Sequence, residues 1–171
     1  LVSYIISPVV KEVFLKLTSE RDRDIFIETF WKQRDPTPGT PENEYKEEHL
    51  KRFTYANKIY SRGTTRPGWQ TDMGRIYIIL GPPASIEHFE PTLGIIPCQA
   101  WSFYGDPDKE LPPHFILLFF QRRGLGEYKL YNPVGDGPSA LIQNTRDIDV
   151  TNYEELYEKI KEMAPTLADL S

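Results

Sequence analysis

The strongest constraint on the fold is a change of period part-way along the chain. Up to Gly63 the apolar residues recur at helical spacing. From Arg75 to Tyr131 they alternate or run continuously, as strands do, and after Thr151 helical spacing returns. Helices, then strands, then a helix is the order of an α+β domain, not of repeated βαβ units. The gaps between the predicted strands are too short for crossover helices. The predicted fold is therefore N-terminal helices and a C-terminal helix packed on an antiparallel meander sheet.

Local signals mark the helix ends. Ser7-Pro8 reads as an N-cap with proline at the first helical position, ahead of an apolar face of Val10, Val13, Phe14 and Leu17. Ser19 with Asp22 resembles a capping box for a second helix reaching about Gln33. Its wide apolar arc (Ile25, Phe26, Ile27, Phe30, Trp31) predicts contact on more than one side. Pro36, Pro38 and Pro41 then stiffen the connection by fixing φ and removing donors. Thr40 is the expected cap of a third helix with Pro41 at its first position, Glu42 and Glu44 in its first turn and Gly63 as its stop.

The predicted strands are Arg75–Leu80, Ile86–Glu90, Cys98–Tyr104, Phe115–Gln121 and Glu127–Tyr131, with the last two joined through a glycine-containing hairpin loop. Thr151 with Glu154 predicts the start of the final helix, whose buried face is Tyr153, Leu156, Ile160 and Met163. The chain reads as one domain, 1–171. Residues 1–18 are a linker or helical extension, 19–63 the helical part, 64–131 the sheet part, and 132–171 a tail with its helix. An opening at Leu1 instead of methionine fits a processed product or a part of something longer.

Charge and composition bear on function mainly by exclusion. Lys+Arg is 20 against 25 Asp+Glu, a formal net charge of -5, so a general phosphate-backbone binder is not expected and no nucleic-acid partner is assigned. No apolar run approaches the ~18 residues of a membrane span. The single Cys98 rules out an intrachain disulfide and a cysteine-rich zinc site, and its place in an apolar strand marks it as a small core residue. His49, His88 and His114 share no metal-ligand spacing, and no cofactor or metal site is expected.

Two segments stand apart from this background. One is Trp31 to Glu44, with Arg34, Asp35, Asn43 and Glu44 around the prolines. The other is Gly68-Trp69-Gln70-Thr71-Asp72, followed by Gly74-Arg75 and, after the apolar run, Gly81-Pro82-Pro83. Each has two readings. The first segment is either a rigid charged binding loop or a brace in which Arg34 pairs with Asp35 or Glu44. The second is either a site with Asp72 as base or ligand beside Trp69, or a shaped turn. In that turn Trp69 plugs a helix–sheet joint, Thr71 or Asp72 bonds local amides, and Gly74 allows close approach or a positive φ. The candidate binding residues are Arg34, Asp35, Asn43, Glu44, Trp69, Asp72 and Arg75; no catalytic residue is assigned. A third helix about 30 Å long sets the two segments at opposite ends. A returning strand from Arg75 to Leu80 would carry Gly81–Pro83 towards Arg34, Asp35 and Glu44.

The two segments together, in this order, resemble the bacterial GWxTD domain family over about Glu20 to Tyr131. The family motif often continues with arginine where this chain has Met73. The resemblance implies no reaction, and it implies an exported, periplasmic or envelope-associated location. The expected function is a non-catalytic interaction or accessory domain of a larger exported or envelope protein, with a protein or peptide partner, and an open sheet edge or exposed aromatic patch would support it. The alternative is a hydrolase-like or metal-assisted enzyme using Asp35, Glu44 or Asp72, which needs those carboxylates to converge.

Overall fold

The computed structural model describes residues 2–91, 94–146 and 148–171; Leu1, Thr92, Leu93 and Asp147 lie outside the described residues. The helices in chain order are α1 (Pro8–Lys16), α2 (Glu20–Lys32), α3 (Glu44–Tyr60), α4 (Asp72–Leu80), α5 (Tyr153–Met163) and α6 (Pro165–Ala168). Between α4 and α5 run β1 (Ser85–Phe89), β2 (Cys98–Tyr104), β3 (His114–Gln121) and β4 (Tyr128–Leu130). They form one antiparallel meander in the order β1-β2-β3-β4. The fold is α+β, as the change of period implies.

The caps explain where the helices begin. Ser7 Oγ accepts from Val10 N–H with Pro8 at the first position, and Ser19 Oγ accepts from Asp22 N–H. Two expected caps shift by a few residues. Asn43, not Thr40, caps α3 by accepting from Lys46 N–H, and Asn152, not Thr151, caps α5 by accepting from Glu155 N–H. In each case an Asn nearer the helix satisfies the orphan donor that the earlier threonine cannot reach. Thr40 instead donates to the carbonyls of Thr37 and Glu42.

Arg75–Leu80 is not a strand but most of α4. A short, nearly continuous apolar run has no period of its own, so flanking chemistry decides. Thr71 Oγ1 accepts from Gly74 N–H at the N-terminus, and Gly81, at φ +87°, ends the helix while its N–H donates to Tyr77 O. α4 packs against α3 and against β4, and its outward position is filled by Ile79, which stays exposed, so the run shows no polar side. Met73, Ile76, Tyr77 and Leu80 pack towards the sheet, while Ile78 is buried.

Each face of the sheet carries an apolar cluster. Cys98, Ala100, Leu118 and Phe120 meet Leu156, Ile160 and Leu167 of the C-terminal helices. Trp101, Phe103 and Phe119 meet Tyr60 and the apolar side of α4. Buried Cys98 donates its thiol to Ile96 O at 3.2 Å, and burial pushes the thiol up to about 12. The predicted faces hold less well at the ends of the chain. Ile25 and Ile27 of α2 are exposed, as is Tyr153 of α5, while Phe30 and Trp31 are buried.

Candidate functional site

The Gly68–Asp72 segment is a structural joint in which each side chain has a separate task. A Cβ on Gly68 would run into the Ala56 carbonyl of α3, and a Cβ on Gly74 would run into the Gly68 carbonyl. Both glycines therefore serve close backbone approach. Trp69 N–H donates to Asn57 Oδ1 at 3.1 Å, its ring stacks on Phe53 with centroids 6.2 Å apart, and its carbonyl accepts from Tyr4 Oη at 2.8 Å. So half-buried Trp69 seals α3 against the N-terminal segment, not a helix against the sheet. Buried Thr71 donates to Gly68 O at 2.7 Å while capping α4.

Asp72 reaches furthest. Its Oδ2 accepts from Leu130 N–H of β4 at 2.9 Å, 58 residues away in sequence. Arg75 Nη2 stands 3.7 Å from its other oxygen. The carboxylate thus ties α4 to the edge of the sheet.

The proline segment is bonded within itself. Asp35 Oδ1 accepts from Thr37 N–H at 3.0 Å, and Glu44 Oε2 accepts from Thr37 Oγ1 at 2.6 Å. That hydroxyl holds the Glu44 carboxyl below the usual carboxylate range. Asn43 joins α2 to α3 by donating to Trp31 O at 2.8 Å as well as capping α3. Arg34 lies over the Phe30 ring at 3.8 Å and donates to Phe30 O, so its partner is an aromatic residue and not the expected carboxylate. Gly81 lies against the guanidinium of Arg52, whose Nε donates to Glu48 Oε1 at 2.7 Å. The expected approach of Gly81–Pro83 to Arg34, Asp35 and Glu44 assumed a strand where α4 stands.

One of the surface concavities lies beside the joint. A cleft of about 500 Å³ opens between the C-terminal half of α3 and the part of the sheet that α4 leaves uncovered. Tyr55, Ile59 and Tyr60 form its helical wall, Trp101 its floor, and Gln99, Gln121 and Tyr128 its sheet side. Thr71 and Met73 border it, so the joint also fixes its shape. The amides are aimed: Gln99 Oε1 accepts from Trp101 Nε1 at 3.1 Å, and Gln121 Nε2 donates to Gly126 O at 2.7 Å. Burial raises the Tyr128 phenol pKa, and the neighbouring Gln99 amide offsets part of that rise. Tyr60 is pushed well up by burial, with Tyr55 and Tyr77 adding to the effect. Its phenol stays protonated at neutral pH and can donate. Glu127, at the rim, is held by Lys129 at 3.0 Å and Arg66 at 3.3 Å.

This volume lies in the range of ligand sites, and aromatic walls with a few fixed amides are what such sites use for shape and orientation. None of the seven residues singled out from sequence lines it. The available signal was Gln99 and Gln121, two amides in strands rich in aromatic and aliphatic residues. Among the described residues no three His, Cys, Asp or Glu side chains are grouped as metal ligands.

No curated protein and no solved structure matches the chain. The GWxTD domain family matches residues 2–110, which reaches further towards the N-terminus than the motifs alone and stops ahead of β3. With the motif's glycine, tryptophan, threonine and aspartate each holding a defined contact, and that match spanning more than half of the sequence, the chain belongs to the GWxTD domain family.

Proposed function

We propose that this chain is a single, non-catalytic interaction domain of a larger bacterial exported or envelope protein, and that its ligand occupies the cleft between α3 and the sheet. The observation that carries the reading is the cleft itself, with tyrosines on one wall, oriented glutamine amides on the other and buried Trp101 beneath. The alternative enzyme needed Asp35, Glu44 and Asp72 to converge. Asp35 and Glu44 both accept from Thr37, through its N–H and its hydroxyl, whereas Asp72 lies apart and accepts from Leu130 N–H. The exported location rests on family resemblance, and fractionating cells that express the whole protein tests it.

Binding is tested by recording amide and side-chain NMR shifts on adding peptide pools and soluble oligosaccharides at millimolar concentration. Shifts should centre on Gln99, Gln121 and Tyr128, and Tyr55→Ala combined with Gln99→Ala should abolish them. Ligand-induced shifts that avoid the cleft, or no shift from any pool, would sink the assignment.

A further inference from the structure

The two edges of the sheet differ in a way the backbone bonds make explicit. Gln121 N–H donates to Pro97 O, and Gly105 N–H donates to Pro113 O. Odd-numbered residues of β2 therefore turn their polar groups to β3, and Cys98, Ala100 and Ser102 turn theirs to β1. The register sets those three against Phe89, Glu87 and Ser85. Ile86 and His88 are left with N–H and C=O directed away from the sheet. At the opposite edge Tyr131 N–H donates to Leu118 O at 2.8 Å, so the groups of Leu130 face outward. There Asp72 takes the Leu130 N–H, and α4 lies against β4. The family motif thus closes one edge. The other is exposed from Ser85 to His88, and among the described residues nothing pairs with the outward groups of Ile86 and His88.

An open edge is a template for another strand unless something blunts it. β1 contains no proline and no lysine. Its side chains also differ by face. Ile86 lies opposite Trp101 and lines the mouth of the cleft. Glu87 points to the other face, and both Glu87 and, just past the strand, Glu90 are exposed. Neither takes part in an ion pair among the described residues. An added strand would therefore meet unneutralised acid on one face and an apolar residue beside the cleft on the other. The chain's net charge of -5 favours the approach of a basic partner.

We propose that β1 is the docking edge for an extended basic peptide, which adds as a fifth strand on Ile86 and His88, sets Lys or Arg beside Glu87, and places an apolar side chain next to Ile86 at the cleft mouth. This rests on the reading of the chain as an interaction domain and adds the partner's chemistry. Main-chain bonds supply affinity in strand addition, and alternate side chains supply specificity.

The experiment is selection of a random twelve-residue peptide display library on the folded protein, followed by solution binding of the enriched peptides. Enriched sequences should alternate basic with apolar residues and should weaken with added salt. Their backbone N-methylation should cost about tenfold at every second position, because one intermolecular hydrogen bond is lost there, and little in between. His88→Pro should weaken them similarly. Its lost N–H points away from β2, so the ladder and the melting temperature are retained. Peptides that lose binding with Tyr55→Ala but ignore His88→Pro and show no period-two methylation pattern would overturn strand addition and leave the cleft reading standing. No enrichment at all, or enrichment of acidic sequences, would overturn the basic-peptide proposal, while the oligosaccharide arm above decides the cleft separately.

Discussion

Removing the hydroxyl of Thr71 while keeping its shape isolates the central contact of the joint. Thr71 is 2% exposed, and its Oγ1 both accepts from Gly74 N–H at 3.0 Å and donates to Gly68 O at 2.7 Å. In Thr71→Val the Gly68 carbonyl keeps the Thr71 backbone N–H at 3.1 Å, so it is not orphaned. The Gly74 N–H is buried and loses its partner. Loss of an N-cap and a buried donor left unpaired describe the same missing bond from two sides, and together they set the cost at about 2–3 kcal/mol. For a chain of this length that lowers the melting temperature by roughly 5–10 °C. Thr71→Ser keeps both bonds and loses one buried methyl, at about 1 kcal/mol. Urea unfolding with an unchanged slope separates the two variants by midpoint. If Val unfolds at the same midpoint as Ser or above it, the hydroxyl contributes no more than the methyl, and the argument that capping is the central contact of the joint fails.

Two further predictions concern the glycines and the proline loop. Gly68→Ala places a Cβ against the backbone of Ala56, which cannot step aside, and should cost more than about 4 kcal/mol. Gly63→Ala, at φ +73° with open space around it, should cost only about 1–2 kcal/mol. Comparable losses in denaturant titrations of the two would show that backbone conformation, not close packing, governs Gly68. For Glu44, the carboxyl held below its usual range implies a Thr37 contact whose contribution is present above the ordinary carboxylate pKa. It fades as pH falls through the lowered value of the folded state. Thr37→Val should move the Glu44 titration, followed by side-chain carboxyl NMR, up towards the ordinary range, with the Glu44 backbone N–H keeping part of the lowering. An unmoved curve would mean that the Thr37 hydroxyl is not its cause.

Local chemistry determined much of this protein. The starts of α1 and α2 follow from Ser7-Pro8 and from Ser19 with Asp22, because a cap needs only the next three residues. The antiparallel order of β1 to β4 follows from short connections. The core positions Trp101, Leu156 and Ile160 follow from the period of their elements. Where two polar residues competed for one cap, as Thr40 with Asn43, reach settled the matter, and reach depends on backbone geometry that one-dimensional spacing does not carry. Only the tertiary structure decided the state of Arg75–Leu80, because the outward position of α4 is filled by Ile79, which is 44% exposed, and an apolar residue on the solvent side leaves no period to read. The tertiary structure also gave Asp72 its partner: Leu130 N–H lies 58 residues on, and nothing in the motif points to it. The cleft was hidden for the same reason. Tyr55, Gln99, Gln121 and Tyr128 come from α3, β2, β3 and β4, and they become one surface only when α4 stops short of covering the sheet. Caps and periods are interactions between near neighbours in sequence, whereas a cleft and a free strand edge are what distant elements leave unfilled.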